Sequence, residues 1–509
     1  MPKNGDKPTV RVNGVDYRWP KRPLVVACID GGDPAYFERG LKDGIIPNVG
    51  HFMAKGFSAI ADGTVPSFTC PNNMSIVTGA PASVHGISGN FYLDPATGEA
   101  VVMTGPELLR GTTILAEFAR ASAKVVSITA KDKLRRQLGK GLDISRGNIN
   151  FSSEKADTCT RAEHGIDDVL RFVGQPLPDM YSAELSLFVL EAGIRILERD
   201  RPDIMYLSLT DYIQHKYAPG EAEADRFYRN LDEKFGRLAE LGAVVALTAD
   251  HGMNDKSKPD GTPNVIWLQD VLDQTFGKGD TRVICPITDY FVGHHGALGG
   301  FVRVYCRGGN ASPEQIMKLV EPIEGIELVL DKHAACAKFE LPMDREGDVA
   351  VIAKRNTCIG AARADHDLSA LKGFRLRTHG GVSEARVPFI ASRLVTTTPE
   401  ARISDRKDFG RVFQTGRKIV GRNVILWFSE TSPSQPARLG LSTSGKVGIA
   451  VRRNRLKRLA REAFRLNRAG LKTGRDLVIY FRPGCRWLSL QDAQKDFLDL
   501  CRKAGLLET

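Results

Sequence analysis

The sequence predicts an α/β protein with a mostly parallel sheet flanked by helices, followed by a small, strongly basic α+β domain. Two observations predict this division. Apolar runs alternate with amphipathic helical patterns over about the first 395 residues, which is typical of a parallel sheet with helices on both faces. Beyond that point the composition changes, and positive charge dominates the remaining residues.

Strands and helices alternate along the first predicted domain. The continuous apolar run PLVVACID is suited to a central parallel strand, and Asp33-Pro34 begins a helix because proline is favoured in a first helical turn. The segment TVPSFTCPNNMSIVTGA predicts a turn and then a helix, with Thr69 near the N-terminus of that helix. Further strands are predicted in AKVVSITA, DIMYLSLTD and GAVVALTAD, and further helices in SAELSLFVLEAGIRILERD and ADRFYRNLDEKFGRLAEL.

The stretch between His251 and His379 has a less regular pattern than the segments before it. Short strands are predicted in GFVRVYC and ELVLDK. We expect roughly residues 256–372 to fold as a cap that is inserted into the first domain ahead of His379.

A domain boundary is predicted between the last apolar run of the first domain, VPFIAS, and a helical pattern that begins near Asp405. The intervening RLVTTTPEARIS has no periodicity and is typical of a linker. We expect a first domain over residues 1–395, a linker over 396–403 and a second domain over 404–509. Residues 401–509 carry 24 Lys and Arg against 9 Asp and Glu, so they hold all of the positive excess of a chain whose net charge is +11. Only the second domain is therefore expected to bind a polyanion.

The composition excludes several classes of protein. No run of 18 or more apolar residues occurs, so no transmembrane helix and no membrane partner are expected. The start of the chain, MPKNGDKPTV, has no apolar segment of the kind found in secretory signals. The nine Cys are dispersed and form no CxxC pair, which favours reduced thiols and a cytoplasmic location.

Acidic residues, histidines and one threonine follow apolar runs across the first 380 residues. They are Asp30, Thr69, Asp211, His215, Asp250, His251 and His379. Because parallel strands present their carboxyl ends at one sheet edge, these side chains are expected to converge there. Their chemistry predicts a site for two Zn²⁺ ions with Thr69 as the nucleophile.

The spacing of these residues suggests how the two ions are shared. We expect Asp30, Asp250 and His251 to hold one zinc together with Thr69, while Asp211, His215 and His379 hold the second. Asp211 and His215 are spaced i,i+4 and share one face of a helical turn. Asn90, in HGISGNFY, is a candidate donor to a phosphoryl oxygen.

Each of these residues also has a structural interpretation when it is taken alone. An Asp after a strand is usually a turn or helix-cap residue, and Thr69 fits the role of an N-cap. The order Asp, PSxTxPN, DxxxH, DHG and HGG within one chain is what favours the catalytic interpretation.

That ordered series resembles the alkaline phosphatase superfamily, and in particular the branch that holds nucleotide pyrophosphatase/phosphodiesterases and phosphonoacetate hydrolases. The segments VNGVDYRWPKRP, SFTCPNNMSIVTGAPASVHGISGNFY, SLTDYIQHKYAPG and HDLSALKGFRLRTHGGVSE resemble the phosphonoacetate hydrolases, and the likeness covers about residues 8–395. It implies zinc-dependent cleavage of the C–P bond of phosphonoacetate to acetate and phosphate through a phosphothreonine at Thr69. It also implies that Lys131 and Lys133, in SITAKDKLRR, contact the substrate. For the assembly of the chain we consider a homodimer.

The alternative enzyme is a phosphodiesterase of the nucleotide pyrophosphatase type. Such an enzyme needs a pocket for a nucleoside, which is often lined by aromatic side chains. Phe91 and Tyr92 follow Asn90 and do not distinguish the two reactions.

The second domain contains a strongly basic helical segment. GKVGIAVRRNRLKRLAREAFRLNR predicts a helix with one basic face and one apolar face, and the single acid within it, Glu462, leaves the cations largely unbalanced. Like charges at this density favour a polyanionic partner. A nonspecific nucleic-acid-binding or membrane-surface tail is the alternative.

The second domain resembles the protein subunit of bacterial ribonuclease P over about residues 403–507. The order of elements fits, from DFGRVFQTGRK through NVILWFSE to RDLVIYFRPG and the last helix, and Arg-Asn-Arg stands at Arg453, Asn454 and Arg455. The resemblance implies a left-handed βαβ crossover and binding of the ribonuclease P RNA through this helix, where Lys457, Arg458 and Arg461 follow. It further implies a cleft at Phe409 and Phe413 for the 5′ leader of precursor tRNA.

Overall fold

The computed structural model describes residues 9–94, 96–287, 297–371, 373–393, 403, 405–433, 435–448, 450–487 and 489–507. The chain divides into two compact units, Met1–Leu394 and Val395–Thr509. Most of the predicted linker, residues 396–403, lies outside the described residues, with only Ile403 among them. No helix in the described ranges is long and apolar enough to cross a bilayer.

The first unit contains strands and helices in alternation. Its strands are β1 Val10–Val12, β2 Val15–Tyr17, β3 Leu24–Cys28, β4 Phe57–Asp62, β5 Phe91–Leu93, β6 Ala100–Val102, β7 Val125–Thr129, β8 Ile149–Ser152, β9 Ile204–Ser208, β10 Val244–Thr248, β11 Asn254–Asp255, β12 Val265–Trp267, β13 Thr281–Ile284, β14 Phe301–Cys306, β15 Ile326–Asp331, β16 Val349–Ala353, β17 Cys358–Gly360, β18 Arg377–Thr378 and β19 Arg386–Ala391. Its helices are α1 Pro34–Lys42, α2 Pro47–Lys55, α3 Thr69–Thr78, α4 Ala82–His85, α5 Ile114–Arg120, α6 Asp132–Leu138, α7 Arg161–His164, α8 Val169–Val173, α9 Glu184–Asp200, α10 Tyr212–Lys216, α11 Ala222–Glu240, α12 Leu268–Phe276, α13 Pro313–Val320 and α14 Lys332–Phe339.

A seven-stranded sheet in the order β4-β19-β10-β3-β9-β7-β8 forms the centre of this unit. Strands β10, β3, β9, β7 and β8 are mutually parallel, whereas β19 is antiparallel to both of its neighbours. Every residue of β7 and β9 is buried, as expected for strands that are covered by helices on both faces. The predicted α/β architecture with a mostly parallel sheet is confirmed.

Helices cover both faces of the sheet and form two separate cores. One core includes Phe188 of α9 and Leu231 of α11, and the other includes Val77 of α3, Phe118 of α5 and Leu138 of α6. The predicted start of α1 is also present, because the Asp33 carboxylate accepts the Ala35 backbone N–H and proline occupies the first turn.

The segment between β11 and β18 contains a second sheet. Its four strands are antiparallel in the order β13-β14-β16-β15, and α12, α13 and α14 pack on it. We refer to Val265–Gly360, from β12 to β17, as the cap. Its core also includes Phe68, the residue that precedes α3, so the cap packs against the start of the helix that carries Thr69.

The second unit is a small α+β domain. Its elements are α15 Arg406–Thr415, β20 Arg417–Val420, β21 Val424–Glu430, β22 Arg438–Ser442, α16 Ala450–Asn467, β23 Arg475–Phe481 and α17 Leu490–Lys503. The strand order is β20-β21-β23-β22, and α16 connects the parallel pair β22 and β23. Leu456 and Phe464 of α16 and Phe497 of α17 join the core on one face of the sheet, while Val412 of α15 packs with Val478 on the other.

Candidate active site

Three neighbouring strands of the central sheet deliver acidic residues to one edge. Asp30 lies two residues after β3, Asp211 three residues after β9, and Asp250 two residues after β10. The strands β10, β3 and β9 are parallel and in register at their ends, where Cys28 is paired with both Ser208 and Thr248. The three carboxylates therefore converge, and two histidines accompany them: His215 on α10 and His251 next to Asp250.

His379 reaches the same edge through a different element. The short strand β18 pairs antiparallel with β11, and Thr378 lies opposite Asn254. This pairing stacks the His379 ring on that of His251, with centroids 3.5 Å apart and planes 8° from parallel. Gly380, which follows, has φ of 117°, and a Cβ there would lie 2.5 Å from the Phe68 ring, so this turn requires glycine.

The seven residues form two groups of potential metal ligands. One ligand atom from each of Asp211, His215 and His379 lies within 4.8 Å of the others, and the same holds for Asp30, Asp250 and His251. Thr69 is the first residue of α3 and is partly exposed, with its Oγ1 3.4 Å from His251 Nε2. The structure thus brings together all seven residues that the sequence placed in this site.

Backbone carbonyl groups orient the three imidazole rings. The Nδ1 atom lies 2.6 Å from Arg377 O in His215, 2.7 Å from Ser67 O in His379 and 2.9 Å from Gly252 O in His251. A carbonyl can only accept, so each Nδ1 carries a proton, and in a neutral ring Nε2 is then left as the ligating atom. Metal-binding histidines are oriented in this way in general.

The electrostatics of the site favour a bound cation. Burial, together with the negative charges of Asp211 and Asp250, raises the pKa of Asp30 well above its usual value. Burial also raises the pKa of Asp250. Although burial alone would lower it, the surrounding carboxylates raise the pKa of His251 to about 10. In the ion-free protein a proton on His251 therefore offsets part of the negative charge.

The donor set fits zinc. The distance of 3.1 Å between Asp30 Oδ1 and His251 Nε2 is close to the ~3.3 Å that separates two ligands of a tetrahedral zinc ion. Carboxylate and imidazole donors at about 2 Å are ordinary zinc ligands. The two groups of three residues can therefore hold two ions side by side.

Asn73 is a residue of this site that the sequence did not single out. Its Nδ2 donates to Asp250 Oδ2 and to the Thr69 carbonyl, both at 3.0 Å. Its Oδ1 accepts from Tyr206 Oη at 2.8 Å and Ser208 Oγ at 3.3 Å. Asn73 thus joins α3, which carries Thr69, to Asp250, a potential ligand just after β10. Its i,i+4 spacing from Thr69 on one helix face was the signal available in the sequence.

A buried ion pair lies behind the two stacked histidines. Glu384 Oε1 accepts from Lys256 Nζ at 2.9 Å, and both side chains are fully buried. Glu384 Oε2 accepts the Gly381 N–H at 2.9 Å, and the Glu384 carbonyl accepts the Gly252 N–H at 2.7 Å. Although burial opposes ionisation, the charge of Lys256 lowers the pKa of Glu384. The pair therefore fixes the turns that follow both His251 and His379.

Asn90 and the two predicted lysines lie on segments other than those that carry the seven residues. The Asn90 N–H donates to Pro286 O at 2.7 Å, and its Oδ1 is buried with no hydrogen-bond donor in the described ranges. Lys131 lies two residues after β7, a strand adjacent to β9, and its Nζ lies 3.4 Å from Met180 O and 5.3 Å from the centre of the Tyr181 ring. Lys133 lies in the first turn of α6 and is partly exposed.

The predicted RNA-binding residues of the second unit lie on two elements. Phe409 and Phe413 of α15 are partly exposed with ring centroids 6.4 Å apart, and Phe413 also contacts Trp427, which the sequence analysis did not single out. On α16, Arg453 donates to Gly448 O, Lys457 is partly exposed and Arg461 is exposed. Asn454, Arg455 and Arg458 also lie on α16, but their side chains are outside the described part of the structure.

A parallel sheet with acid and histidine ligands at its carboxyl edge and a threonine at a helix N-terminus defines an alkaline-phosphatase-like fold. The family model for type I phosphodiesterase/nucleotide pyrophosphatase matches residues 24–380, so the chain belongs to that family. A second model, for ribonuclease P, matches residues 398–505.

Comparison with solved structures shows which members of this family the first unit resembles. Phosphonoacetate hydrolase from Sinorhizobium meliloti 1021, in complex with phosphonoformate, is 48% identical with a TM-score of 0.75, over 78% of this chain and 95% of that chain. Murine ectonucleotide pyrophosphatase/phosphodiesterase 5 is 16% identical with a TM-score of 0.50, over 73% of this chain and 88% of that chain, and shows the fold alone. The first unit therefore also belongs to the family of the phosphonoacetate hydrolase, as its sequence motifs predicted.

Curated relatives match the second unit over nearly their whole length. The ribonuclease P protein component of Alkaliphilus metalliredigens is 33% identical over 106 residues, which are 21% of this chain and 95% of that protein. The corresponding protein of Clostridium acetobutylicum is 37% identical over 109 residues, 21% of this chain and 92% of that protein. The second unit thus belongs to the ribonuclease P protein family, which confirms the second resemblance.

Proposed function

We propose that the first unit hydrolyses the C–P bond of phosphonoacetate, with Thr69 as nucleophile and two zinc ions as cofactors. The observation that carries this proposal is the convergence of two three-residue groups of potential ligands, together with the 3.4 Å distance from Thr69 Oγ1 to His251 Nε2. Kinship at 48% identity with a phosphonoacetate hydrolase supports the choice of substrate. We assign Asp30, Asp250, His251 and Thr69 to one zinc, and Asp211, His215 and His379 to the other.

The residues of the site support a reaction in two steps. Thr69 Oγ1 attacks phosphorus, the C–P bond breaks, and the acetate carbon keeps the electron pair and takes up a proton. Water then hydrolyses the phosphothreonine, which releases phosphate and restores the hydroxyl. Bound zinc would lower the pKa of the attacking hydroxyl and stabilise charge on the phosphoryl oxygens. The N-terminus of α3 adds a partial positive charge at Thr69.

Substrate recognition requires groups for each end of phosphonoacetate. We assign Asn90 to a phosphoryl oxygen, since its backbone N–H is held by Pro286 O and its side-chain amide nitrogen is a hydrogen-bond donor. We assign Lys131 and Lys133 to the carboxylate, because they follow β7, the strand next to the one that carries Asp211. A nucleotide phosphodiester has no carboxylate, so these lysines distinguish the two candidate reactions.

Phosphate release from phosphonoacetate by the zinc-loaded full chain tests this function, with a nucleotide phosphodiester as the parallel substrate. We expect phosphate from phosphonoacetate, and we expect Lys133→Met to raise its KM by about 10-fold or more through loss of a charge-assisted hydrogen bond. Arg136→Met, which removes an exposed cation from the same helix, is the matched control. Cleavage of the diester alone would instead assign the protein to nucleotide pyrophosphatase-type phosphodiesterases.

We further propose that the second unit binds ribonuclease P RNA through α16 and the leader of precursor tRNA beside Phe409 and Phe413. Kinship with ribonuclease P proteins and the unbalanced cations of α16 support this proposal. Half-exposed aromatic rings next to cations, such as Trp427 with Lys418 5.3 Å from its centre, suit stacking on single-stranded bases. The alternative is a tail that binds nucleic acid without specificity.

The salt dependence of binding provides the test for this unit. Replacing both Lys457 and Arg461 by alanine is expected to weaken binding of ribonuclease P RNA and to reduce the slope of log K against log salt by about 2, one for each lost phosphate contact. The control is Lys495→Ala with Arg502→Ala on α17, which removes the same charge and should leave the slope unchanged. Equal affinity for an unrelated RNA of the same length would favour the nonspecific tail.

A further inference from the structure

A segment of the first unit, Gly86–Leu93, is held by residues of the cap. Arg303 of β14 is fully buried, and its guanidinium donates to Ser88 O at 2.9 Å, Ser88 Oγ at 3.0 Å and Phe91 O at 3.1 Å. These hydrogen bonds fix the chain on both sides of Asn90. Its Nε donates to Glu346 Oε1 at 2.8 Å.

Other cap residues hold the same segment. Arg345 Nη1 donates to Gly86 O at 2.7 Å, and Tyr305 Oη accepts from the Leu93 N–H at 3.1 Å. The carbonyl of Pro286 accepts the Asn90 N–H at 2.7 Å. The backbone around Asn90 therefore takes its position from the cap.

The segment is connected to the candidate active site through neighbouring residues of the cap. Ile287 follows Pro286, and a Cβ placed on Gly299 would lie 3.2 Å from Ile287 Cγ2 and 3.2 Å from the His379 carbonyl. Gly300 N–H donates to the same His379 carbonyl at 2.8 Å. A shift of the cap strands would thus displace both the backbone at Asn90 and the backbone at His379, which is one of the proposed zinc ligands.

Burying an arginine to hold a loop costs desolvation free energy, so it is expected mainly where the position of that loop is important. Desolvating a guanidinium and a carboxylate is expensive, and replacing such a pair by apolar residues is often neutral or stabilising. The planar guanidinium, however, holds these acceptors and Glu346 in one rigid geometry, which the compact, rotating ammonium of a lysine does not supply. Arg303 applies this geometry to Ser88 and Phe91, which lie two residues before and one residue after Asn90.

We propose that Arg303 is a positioning residue for the hydrolysis, which acts by holding the Asn90 side chain in place for the phosphoryl group. This inference rests on the proposed function, in which Asn90 contacts a phosphoryl oxygen. It predicts that Arg303 contributes to turnover only as long as Asn90 is present.

A double-mutant cycle between Arg303→Lys and Asn90→Ala tests the inference in the zinc-loaded full chain. Lysine keeps a positive charge opposite Glu346 but loses the planar guanidinium that bonds Ser88 and Phe91. We expect Arg303→Lys to lower kcat for phosphonoacetate by about 10–100-fold, as a misplacement of about 1 Å does, with little change in KM. In the Asn90→Ala background the same substitution is expected to change kcat by less than about twofold, because its target is already gone.

Two further variants separate positioning from general stability. Arg303→Met combined with Glu346→Leu removes the pair without leaving a buried charge, and it should fold and show the same kcat loss and the same dependence on Asn90. Arg110→Met breaks an exposed ion pair with the cap residue Asp344 and should keep normal turnover. Thermal unfolding of each variant reports stability independently of kcat.

The outcomes are distinguishable. If Arg303→Lys lowers kcat equally with and without Asn90, the residue acts independently of Asn90 and the inference is wrong. If Asn90→Ala keeps normal turnover, the role of Asn90 fails and the inference fails with it, although phosphate release through Thr69 still stands. If no variant or parent releases phosphate from phosphonoacetate, it is the proposed function that has failed.

Discussion

Replacing Thr69 by valine is expected to abolish phosphate release from phosphonoacetate while leaving the fold and the bound zinc largely in place. Valine has the shape of threonine but no hydroxyl, so nothing remains at the start of α3 to attack phosphorus. Loss of a catalytic nucleophile lowers kcat by about 10⁴-fold or more in other enzymes that form covalent intermediates. The 3.4 Å distance from Thr69 Oγ1 to His251 Nε2 puts the lost atom beside the first ligand group.

The covalent intermediate gives this prediction a second measurement. Acid quenching during turnover, followed by peptide mass spectrometry, should detect phosphate on the peptide that contains Thr69 in the parent protein and in Thr69→Ser. Thr78→Ser, on the same helix, is a control, because the Thr78 hydroxyl donates to backbone carbonyls, that of Met74 at 2.6 Å and that of Ala80 at 3.5 Å. Normal turnover by Thr69→Val would show that water or another group attacks phosphorus directly.

The convergence of the three site carboxylates could be predicted because it depends on a local rule. Parallel strands place the residues that follow them at one edge, so Asp30, Asp211 and Asp250 needed only the recognition of three apolar strands. The approach of His379 to His251 depends instead on the two-residue pairing of β18 with β11, which no periodicity reveals. That part of the prediction rested on the order of the motifs along the chain, in which HGG comes last.

The residues that support the site could not be predicted from local patterns. Lys256 stands in a charged, proline-containing stretch that looks exposed, yet it is fully buried against Glu384, 128 residues later in the chain. Arg303 interrupts an apolar strand, and a lone cation there indicates an edge as readily as a buried contact. Trp427 alternates with buried residues of β21 and packs on α15, which depends on how that helix crosses the sheet.

Removing the cation of the buried Lys256–Glu384 pair is expected to cause a large loss in the free energy of unfolding. Lys256→Met leaves the Glu384 carboxylate without its counter-ion in a fully buried position, which costs about 3–5 kcal/mol in the free energy of unfolding. The matched control is Arg375→Met, because Arg375 and Asp255 form an exposed pair close by, and its loss should cost about 1 kcal/mol or less. The comparison is made by thermal unfolding of the zinc-free full chain, in which the unfolding transition of the first unit is monitored for each variant.

The pH dependence identifies the unpaired carboxylate as the cause. In the parent protein Lys256 lowers the pKa of Glu384, so the contribution of this carboxylate to stability is present above its unfolded pKa and is lost as pH falls through the folded one. Without Lys256, burial raises that pKa instead, and protonation relieves the penalty. The deficit of Lys256→Met relative to the parent should therefore shrink as pH is lowered from 7 towards 5.

A double variant separates the charge from the hydrogen bonds that Glu384 makes near the histidines. Lys256→Met with Glu384→Leu removes both charges and should recover most of the lost stability. It still lacks the acceptor for the Gly381 N–H, which lies two residues after His379, so zinc affinity should remain reduced although the fold is restored. Equal stability of the parent and Lys256→Met at pH 7 would show that Glu384 is not held ionised. If the double variant recovers stability but not zinc affinity, the buried pair contributes to the position of the turns after His251 and His379 and adds little net stability to the fold.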